Sequence, residues 1–169
     1  TEQALKASGI GWTVLRNGWY QENLLHALPA AVASGKWFSA AGDCKVAHVA
    51  REDAAYAAAA ALAAEPKGNA RYDITGAELL TTKEIAKLAS DVTGKPIEVV
   101  NVTDEQLTQG MIAAGMPAFL APVFASFDTN TRKGNIAIAS DAVQKLTGRA
   151  PRPLKQFLAA NKEALLHAH

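Results

Sequence analysis

Apolar positions along the chain alternate between helical and extended spacing, which predicts an α/β layer architecture. Helical spacing predicts helices at residues 2–8, 22–34, 51–65, 82–92, 104–115, 141–146 and 154–166, with a more irregular helical stretch at 117–127. Extended spacing predicts strands at residues 12–15, 36–40, 46–49, 71–75 and 97–102.

Polar residues, glycines and prolines predict where several of these elements begin and end. Thr81 and Glu84 have capping-box spacing, which predicts that a helix begins at Thr81 or Thr82. Gly9 predicts the end of the first helix, and Pro29 predicts a kink or a restart in the second. The polar segment 129–134 is expected to be a loop.

The composition is that of a globular chain of one domain's length. It has 169 residues, 49% of them hydrophobic, and 17 Lys+Arg against 16 Asp+Glu give a net charge of +1. These values exclude a disordered protein and a generally basic nucleic-acid binder. No apolar run reaches the roughly 18–20 residues that span a bilayer, so no membrane partner is expected. We find no internal repeat or linker, and residues 1–169 are expected to form a single unit.

Cys44 is the single cysteine, so an intramolecular disulfide is excluded. The absence of an intramolecular disulfide fits a reducing compartment, and a cytoplasmic location is expected. We interpret Cys44 as a small space-filling residue.

Four segments, in order, resemble the NmrA-like, atypical short-chain dehydrogenase/reductase family, and in particular its quinone-reducing members. They are residues 8–23, which include Arg16-Asn17-Gly18-Trp19-Tyr20, then 49–55, 72–76, and 147–152 with Phe157. Their order and spacing make the match specific, and the similarity covers essentially the whole chain. The resemblance implies the C-terminal part of a Rossmann-like doubly wound fold with a small, mostly helical substrate-binding lobe.

The chain departs from the family at the phosphate cradle, which is a glycine-rich turn. Gly9 and Gly11 are followed by Val14 instead of a third glycine, and there is no Walker A pattern. We therefore expect the N-terminal dinucleotide-binding half to be absent from this chain. The Tyr-x-x-x-Lys pair of ordinary superfamily members is also absent, because Leu24, Ala60 and Gly76 stand four residues after the three tyrosines.

The resemblance implies that the parent protein uses NADP or NAD, without a metal or a flavin, and transfers a hydride to a small quinone. This chain alone is expected to be inactive. A homodimer remains one possible oligomeric state. Two alternatives remain: a non-catalytic dinucleotide-binding redox sensor or regulator, and a standalone binding module. A nucleotide-sugar epimerase is a weaker alternative without the Tyr-x-x-x-Lys pair.

The segment after the first predicted strand is the candidate cofactor site, because open α/β sheets bind ligands at the carboxyl ends of their strands. Gly18 lets the backbone approach a ring, and Trp19 or Tyr20 has a face for stacking. Asn17 and Asn23 offer amide groups. Asn17, Tyr20 or a backbone amide near Gly18 is the expected donor to a developing oxyanion. The alternative is structural: a turn glycine, core aromatics and a capping asparagine.

A second group is the candidate substrate site. Phe119, Phe124 and Phe127, with Met111 and Met116, are expected to line an apolar slot for a planar quinone. The alternative is a helical stripe of core aromatics. The sequence assigns no catalytic residue.

The remaining chemistry-bearing side chains are interpreted as structural. Asp53 stands in a first helical turn, where negative charge is favoured. His48, flanked by valines in a strand pattern, is expected to be a satisfied structural histidine. His26, His167 and His169 form no convergent metal-ligand set, so no metal is expected.

Overall fold

The computed structural model describes residues 1–64 and 68–167. Within these ranges the strands are β1 (Thr13–Asn17), β2 (Lys36–Ser39), β3 (Lys45–Val46), β4 (Ala70–Ile74), β5 (Leu80–Thr81) and β6 (Glu98–Asn101). The helices are α1 (Glu2–Ala7), α2 (Leu24–Ser34), α3 (Arg51–Ala63), α4 (Thr82–Thr93), α5 (Asp104–Ala113), α6 (Ala121–Arg132), α7 (Ala142–Thr147), α8 (Leu154–Ala160) and α9 (Lys162–Leu166).

The strands form pairs that the helices connect. β1 and β4 are parallel, with Asn17 opposite Ile74 at their carboxyl ends. β2 and β6 are also parallel, and β3 and β5 form a short antiparallel pair. Parallel pairs joined through helices are the signature of an α/β fold, which confirms the predicted fold class.

Three apolar clusters hold these elements together. Leu28, Leu158 and Leu165 are fully buried in the largest cluster, where α2 and α4 pack against α8 and α9. A second cluster contains Val49 and Ile74, at the end of β4 beside α3 and α7. A smaller third cluster joins α5 and α6, which pack on each other beside the end of β2.

The predicted capping box is confirmed at the start of α4. The Thr81 hydroxyl accepts a hydrogen bond from the Glu84 N–H at 3.1 Å, and the Glu84 carboxylate accepts one from the Thr81 N–H at 2.7 Å. The second bond favours the ionised carboxylate and lowers the pKa of Glu84. Gly9 follows the first helix with a left-handed φ of 72°, also as predicted.

Helix α6 differs from the sequence prediction. The expected loop at 129–134 is wrong over its first part, because α6 continues to Arg132. The Thr131 side chain is buried, and its hydroxyl donates to the Phe127 carbonyl at 3.0 Å, so it does not compete with the helix. Arg132 pairs with Asp104 of α5 at 2.7 Å, which anchors the last turn of α6.

Other boundaries also need correction. The strand predicted at 46–49 ends at Val46, and Val49 forms only a single bridge with Tyr20. The helix predicted at 154–166 is broken at Asn161, whose side chain donates to the Phe157 carbonyl. Helix α2 includes Pro29 without a restart. Strand β5 and a 3-10 turn at Gln21–Asn23 were not predicted. The predicted end of α3 at residue 65 lies outside the described residues.

Candidate functional site

A cavity of about 180 Å³ lies between the turn that follows β1 and helices α5 and α6. Trp19 and Asn23 enter it from the turn, and Met111, Phe124 and Phe127 enter it from the two helices. Residues expected to contact a cofactor and residues expected to contact a substrate therefore line one cavity.

The turn after β1 is fixed by backbone hydrogen bonds to neighbouring segments. The Gly18 N–H donates to the Ile74 carbonyl at 2.8 Å, and the Val49 N–H donates to the Trp19 carbonyl at 2.9 Å. A Cβ on Gly18 would lie 3.3 Å from the Ile74 carbonyl oxygen, so glycine permits close backbone packing at this point. The Gly18 N–H therefore already has an acceptor within the protein, and the prediction of an oxyanion donor from Asn17, Tyr20 or a backbone amide near Gly18 is not tested by this bond.

Three aromatic rings form one wall of the cavity. The Trp19 and Phe127 centroids are 4.7 Å apart with an edge-on geometry, and those of Phe124 and Phe127 are 5.5 Å apart with the same geometry. Such edge-to-face pairs are favourable beyond the area that they bury. The wall is therefore held together before any ligand enters.

Other predicted site residues lie outside this lining. The Asn17 amide donates to the Tyr20 hydroxyl at 3.0 Å, and the guanidinium of Arg51 lies 5.3 Å from the centre of the Tyr20 ring. Phe119 is 77% exposed, and neither Phe119 nor Met116 lines the cavity. The roles assigned to Asn17, Gly18, Tyr20 and Phe119 stay predictions.

Several polar groups of the cavity wall already have protein partners. Asp128 accepts hydrogen bonds from the Ser39 hydroxyl at 2.8 Å and the Ala40 N–H at 2.7 Å. The Cys44 thiol donates to the Arg132 carbonyl at 3.0 Å. These groups shape the wall, and their bonds hold α6 against the end of β2.

His48 differs from the sequence expectation. Its imidazole lines the cavity, but Nδ1 is buried without a hydrogen-bond partner, so the expected satisfied histidine is wrong. Burial disfavours the charged form and lowers the pKa of His48 to about 4. No sequence signal identifies this position, because the cavity forms only when distant segments meet.

The Asp104–Arg132 pair holds α5 and α6 together beside the cavity. The hydrogen bond from the Arg132 guanidinium favours the ionised carboxylate and lowers the pKa of Asp104 to about 2. Arg132 also donates to the Ala40 carbonyl. Helix α6, which carries Phe124 and Phe127, is thus anchored at its C-terminal end.

Asp53 has the structural role that the sequence predicts. It is buried, and its carboxylate accepts a hydrogen bond from the Arg152 N–H at 2.7 Å. The described residues contain no group of three side chains able to hold a metal ion. His169 lies outside them, and His167 is 3.6 Å from Glu163. No helix among the described residues is long and apolar enough to cross a membrane.

A wider groove of about 720 Å³ lies on another face, between α3 and the β1–β4 pair. Leu15, Leu62, Tyr72 and Leu146 are among its lining residues. It has no buried polar atom without a partner among the described residues. The described residues that line this groove include none of those predicted to bind a cofactor or a substrate, so the smaller cavity is the better candidate for specific recognition.

Comparison with known proteins shows which proteins this chain resembles. No protein-family model matches the chain. Quinone oxidoreductase 2 of Escherichia coli K12 is 33% identical over 156 residues, which are 92% of this chain and 54% of that protein. Its crystal structure with NADPH superposes with a TM-score of 0.89 at 32% identity, covering 94% of this chain and 56% of that one. These matches confirm the resemblance to quinone oxidoreductase 2 and to NmrA-like reductases.

Two further matches extend this similarity. An NAD(P)H azoreductase of Xenophilus azovorans is 31% identical over 96% of this chain and 57% of its own length. NmrA, a negative transcriptional regulator, shares the fold with a TM-score of 0.69 at 16% identity, over 96% of this chain and 57% of its own. The chain spans about half the length of the relatives that it matches.

Proposed function

We propose that this chain forms the acceptor-binding part of an NAD(P)H-dependent reductase whose substrate is a quinone. The observation that carries the proposal is the convergence of Trp19, Asn23, Phe124 and Phe127 on one cavity. The E. coli relative is named as a quinone oxidoreductase, and the X. azovorans relative as an NAD(P)H azoreductase. Aromatic walls with a few polar groups suit a planar conjugated acceptor.

The size of the cavity fits one aromatic ring. Its volume is about 180 Å³, whereas an engineered apolar cavity of roughly 150 Å³ binds benzene. One quinone ring with small substituents matches this volume, and a second stacked ring does not. The proposal therefore assigns the quinone to the cavity and the nicotinamide to its border at the carboxyl end of β1.

The residues at that border fit the ring end of NADP or NAD. Trp19 and Tyr20 offer aromatic faces, and Asn17 and Asn23 offer amides, while Gly18 keeps the backbone compact. Because the sequence has no G-x-G-x-x-G turn, these residues do not supply a site for the pyrophosphate. When bound, NAD(P)H supplies a hydride, and one added proton completes the conversion of the quinone to the hydroquinone, with NAD(P)⁺ as the other product.

The contribution of this chain is positioning and exclusion of water. The edge-on pairs between Trp19, Phe127 and Phe124 fix one wall of the cavity, which offers a surface for the quinone plane. Proximity and orientation account for much of the acceleration of a reaction between two held rings. Tyr20 accepts its hydrogen bond from Asn17, which leaves its own hydroxyl hydrogen free to donate to a ligand.

Steady-state oxidation of NAD(P)H by a small quinone, with the full-length gene product, tests the proposal. We expect turnover that saturates with quinone and consumes one NAD(P)H for each quinone reduced. Phe124→Ala removes part of the cavity wall and is expected to raise the KM for the quinone about tenfold. Val123→Ala is the matched control, because Val123 is a neighbouring, 50% exposed apolar residue of α6 outside the cavity.

Three results would refute the proposal. Absence of turnover, with NAD(P)H still bound, would favour the non-catalytic redox sensor or regulator. An equal change in the KM for the quinone in Phe124→Ala and Val123→Ala would show that the quinone does not bind in this cavity. If the chain neither binds NAD(P)H nor completes an active protein, the standalone binding module is favoured.

A further inference from the structure

Asp128 places a negative charge in the wall of the candidate quinone cavity. The described residues that line the cavity include no lysine or arginine, and His48 is neutral near pH 7 because burial lowers its pKa to about 4. Arg132, one helical turn after Asp128, directs its guanidinium to Asp104 at 2.7 Å. The charge of Asp128 therefore has no ion-pair partner among the described residues.

The two oxygens of the Asp128 carboxylate have different surroundings. Oδ2 accepts hydrogen bonds from the Ser39 hydroxyl at 2.8 Å and the Ala40 N–H at 2.7 Å, which hold the side chain in place. Oδ1 accepts no hydrogen bond from the described residues, and it is not one of their buried polar atoms that lack a partner. Oδ1 is therefore an accessible acceptor on a residue that lines the cavity.

Two tryptophans and two phenylalanines line the same cavity as this carboxylate. Trp37 of β2 lies in the lining together with Trp19, Phe124 and Phe127. The faces of aromatic rings attract cations, most strongly at tryptophan, and proteins recognise quaternary ammonium ligands in this way. A cation in this cavity is therefore attracted by the aromatic rings and by Asp128, whereas a neutral ring of the same shape gains only the contact with the apolar wall.

We propose that the cavity is a recognition site for single aromatic rings that carry a positively charged nitrogen group, with the aromatic wall and Asp128 as its two parts. The inference goes beyond the proposed function, because it assigns a second class of ligand to the cavity and needs neither NAD(P)H nor turnover. The cavity volume of about 180 Å³ suits one ring with a small substituent. Such a cation is expected to compete with the quinone.

A matched pair of ligands tests the recognition of charge. Benzamidinium and benzamide have nearly the same planar shape, but only benzamidinium is positively charged. Titration of the chain with each ligand, followed by the NMR shifts of the Trp19 and Trp37 indole N–H groups, gives the two dissociation constants. We expect benzamidinium to bind about tenfold more tightly than benzamide, because its hydrogen bonds to Asp128 are charge-assisted. Equal affinities would overturn the proposal.

Asp128→Asn removes the charge but keeps an oxygen that accepts the bonds from Ser39 and Ala40. We expect benzamidinium to bind about tenfold more weakly to this variant, and benzamide to stay within about twofold of its wild-type affinity. Asp91→Asn is the matched control, because it makes the same change of charge at an exposed carboxylate of α4 outside the cavity. An equal change of the affinity ratio in both variants, or equal weakening of both ligands in Asp128→Asn, would overturn the proposal.

Phe124→Leu keeps the test informative where Asp128→Asn does not fold. Phe124 is 44% exposed, so the fold depends little on this ring. Leucine preserves an apolar contact but has no aromatic face, and we expect benzamidinium to weaken about threefold relative to benzamide. An unchanged affinity ratio in Phe124→Leu would contradict recognition of the cation by the aromatic wall.

Competition with the quinone separates this inference from the proposed function. In the full-length gene product, benzamidinium is expected to raise the KM for a small quinone without changing kcat, and Asp128→Asn is expected to weaken this inhibition about tenfold. If quinone turnover is normal but benzamidinium binds no better than benzamide, the inference fails and the proposed function stands. If benzamidinium binding depends on Asp128 but no quinone is turned over, the proposed function fails and the inference stands.

Discussion

Gly76 provides a stringent test of how the backbone sets the cavity. It follows the end of β4, is buried, and its N–H donates to the Ala47 carbonyl. A Cβ at this position would lie 2.2 Å from the His48 carbonyl oxygen and 3.1 Å from its carbonyl carbon. Both are backbone atoms, so no rotamer change relieves the overlap.

The expected cost of Gly76→Ala follows from this overlap. Carbon atoms in favourable contact are about 3.5–4.0 Å apart, so the two chain segments must separate by about 1 Å. Overpacking of this kind costs typically about 1–3 kcal/mol. For a chain of this size, 1 kcal/mol corresponds to roughly 2–4 °C in Tm. We therefore expect Gly76→Ala to lower Tm by several degrees.

Gly110→Ala is the matched control for this experiment. Gly110 lies in α5, and a Cβ there would meet nothing within 4 Å. The same substitution is expected to stabilise the protein by roughly 0.5–1 kcal/mol, since alanine is the better helix former. Urea unfolding of both variants measures the change in the free energy of unfolding, which is expected to be negative for Gly76→Ala and positive for Gly110→Ala. Equal stability of Gly76→Ala and Gly110→Ala would refute the close packing of Gly76 against His48.

Three further predictions concern stability. Thr81→Ala is expected to lower the free energy of unfolding by about 1 kcal/mol in urea, through loss of the α4 cap; no change would refute its capping role. The pKa of Asp104 is about 2 in the fold, below its ordinary 3.8, so its stabilisation is present above about pH 4 and is lost as pH falls toward 2. Asp104→Asn should reduce that acid loss in Tm measurements, and an identical profile would contradict the ion pair with Arg132. His48 in the unfolded chain takes up a proton near pH 6.5, whereas in the folded chain it does so only near pH 4. The free energy of unfolding should therefore decrease as pH is lowered from about 6.5 to about 4. His48→Asn should flatten this fall, and an unchanged slope would contradict burial of the ring.

Local signals allowed parts of the fold to be predicted from the sequence. The Thr81–Glu84 capping box and Gly9 after α1 depend on residues only a few positions apart, and both were predicted correctly. The end of α6 was not predicted correctly, because the segment 129–134 is polar and its composition is typical of a loop. The contact that supports it, between Arg132 and Asp104, joins residues 28 positions apart.

The candidate site shows the same division. The turn that contains Trp19 and Asn23 was found because it follows a strand and carries the family resemblance. Phe124 and Phe127 were found as an aromatic stripe, but spacing alone did not separate them from Phe119, which the structure leaves exposed. His48 was interpreted as structural, since only the folded chain brings it to the cavity.

The central claim is that a quinone ring binds in the cavity, against the wall that Trp19 and Phe127 form. Intermolecular nuclear Overhauser effects between the methyl protons of duroquinone and the protein side chains test it most directly. The account predicts cross-peaks from the quinone methyls to the Trp19 and Phe127 rings. Cross-peaks to Tyr72 and Leu146, in the wider groove, with none to Trp19 or Phe127, would contradict it.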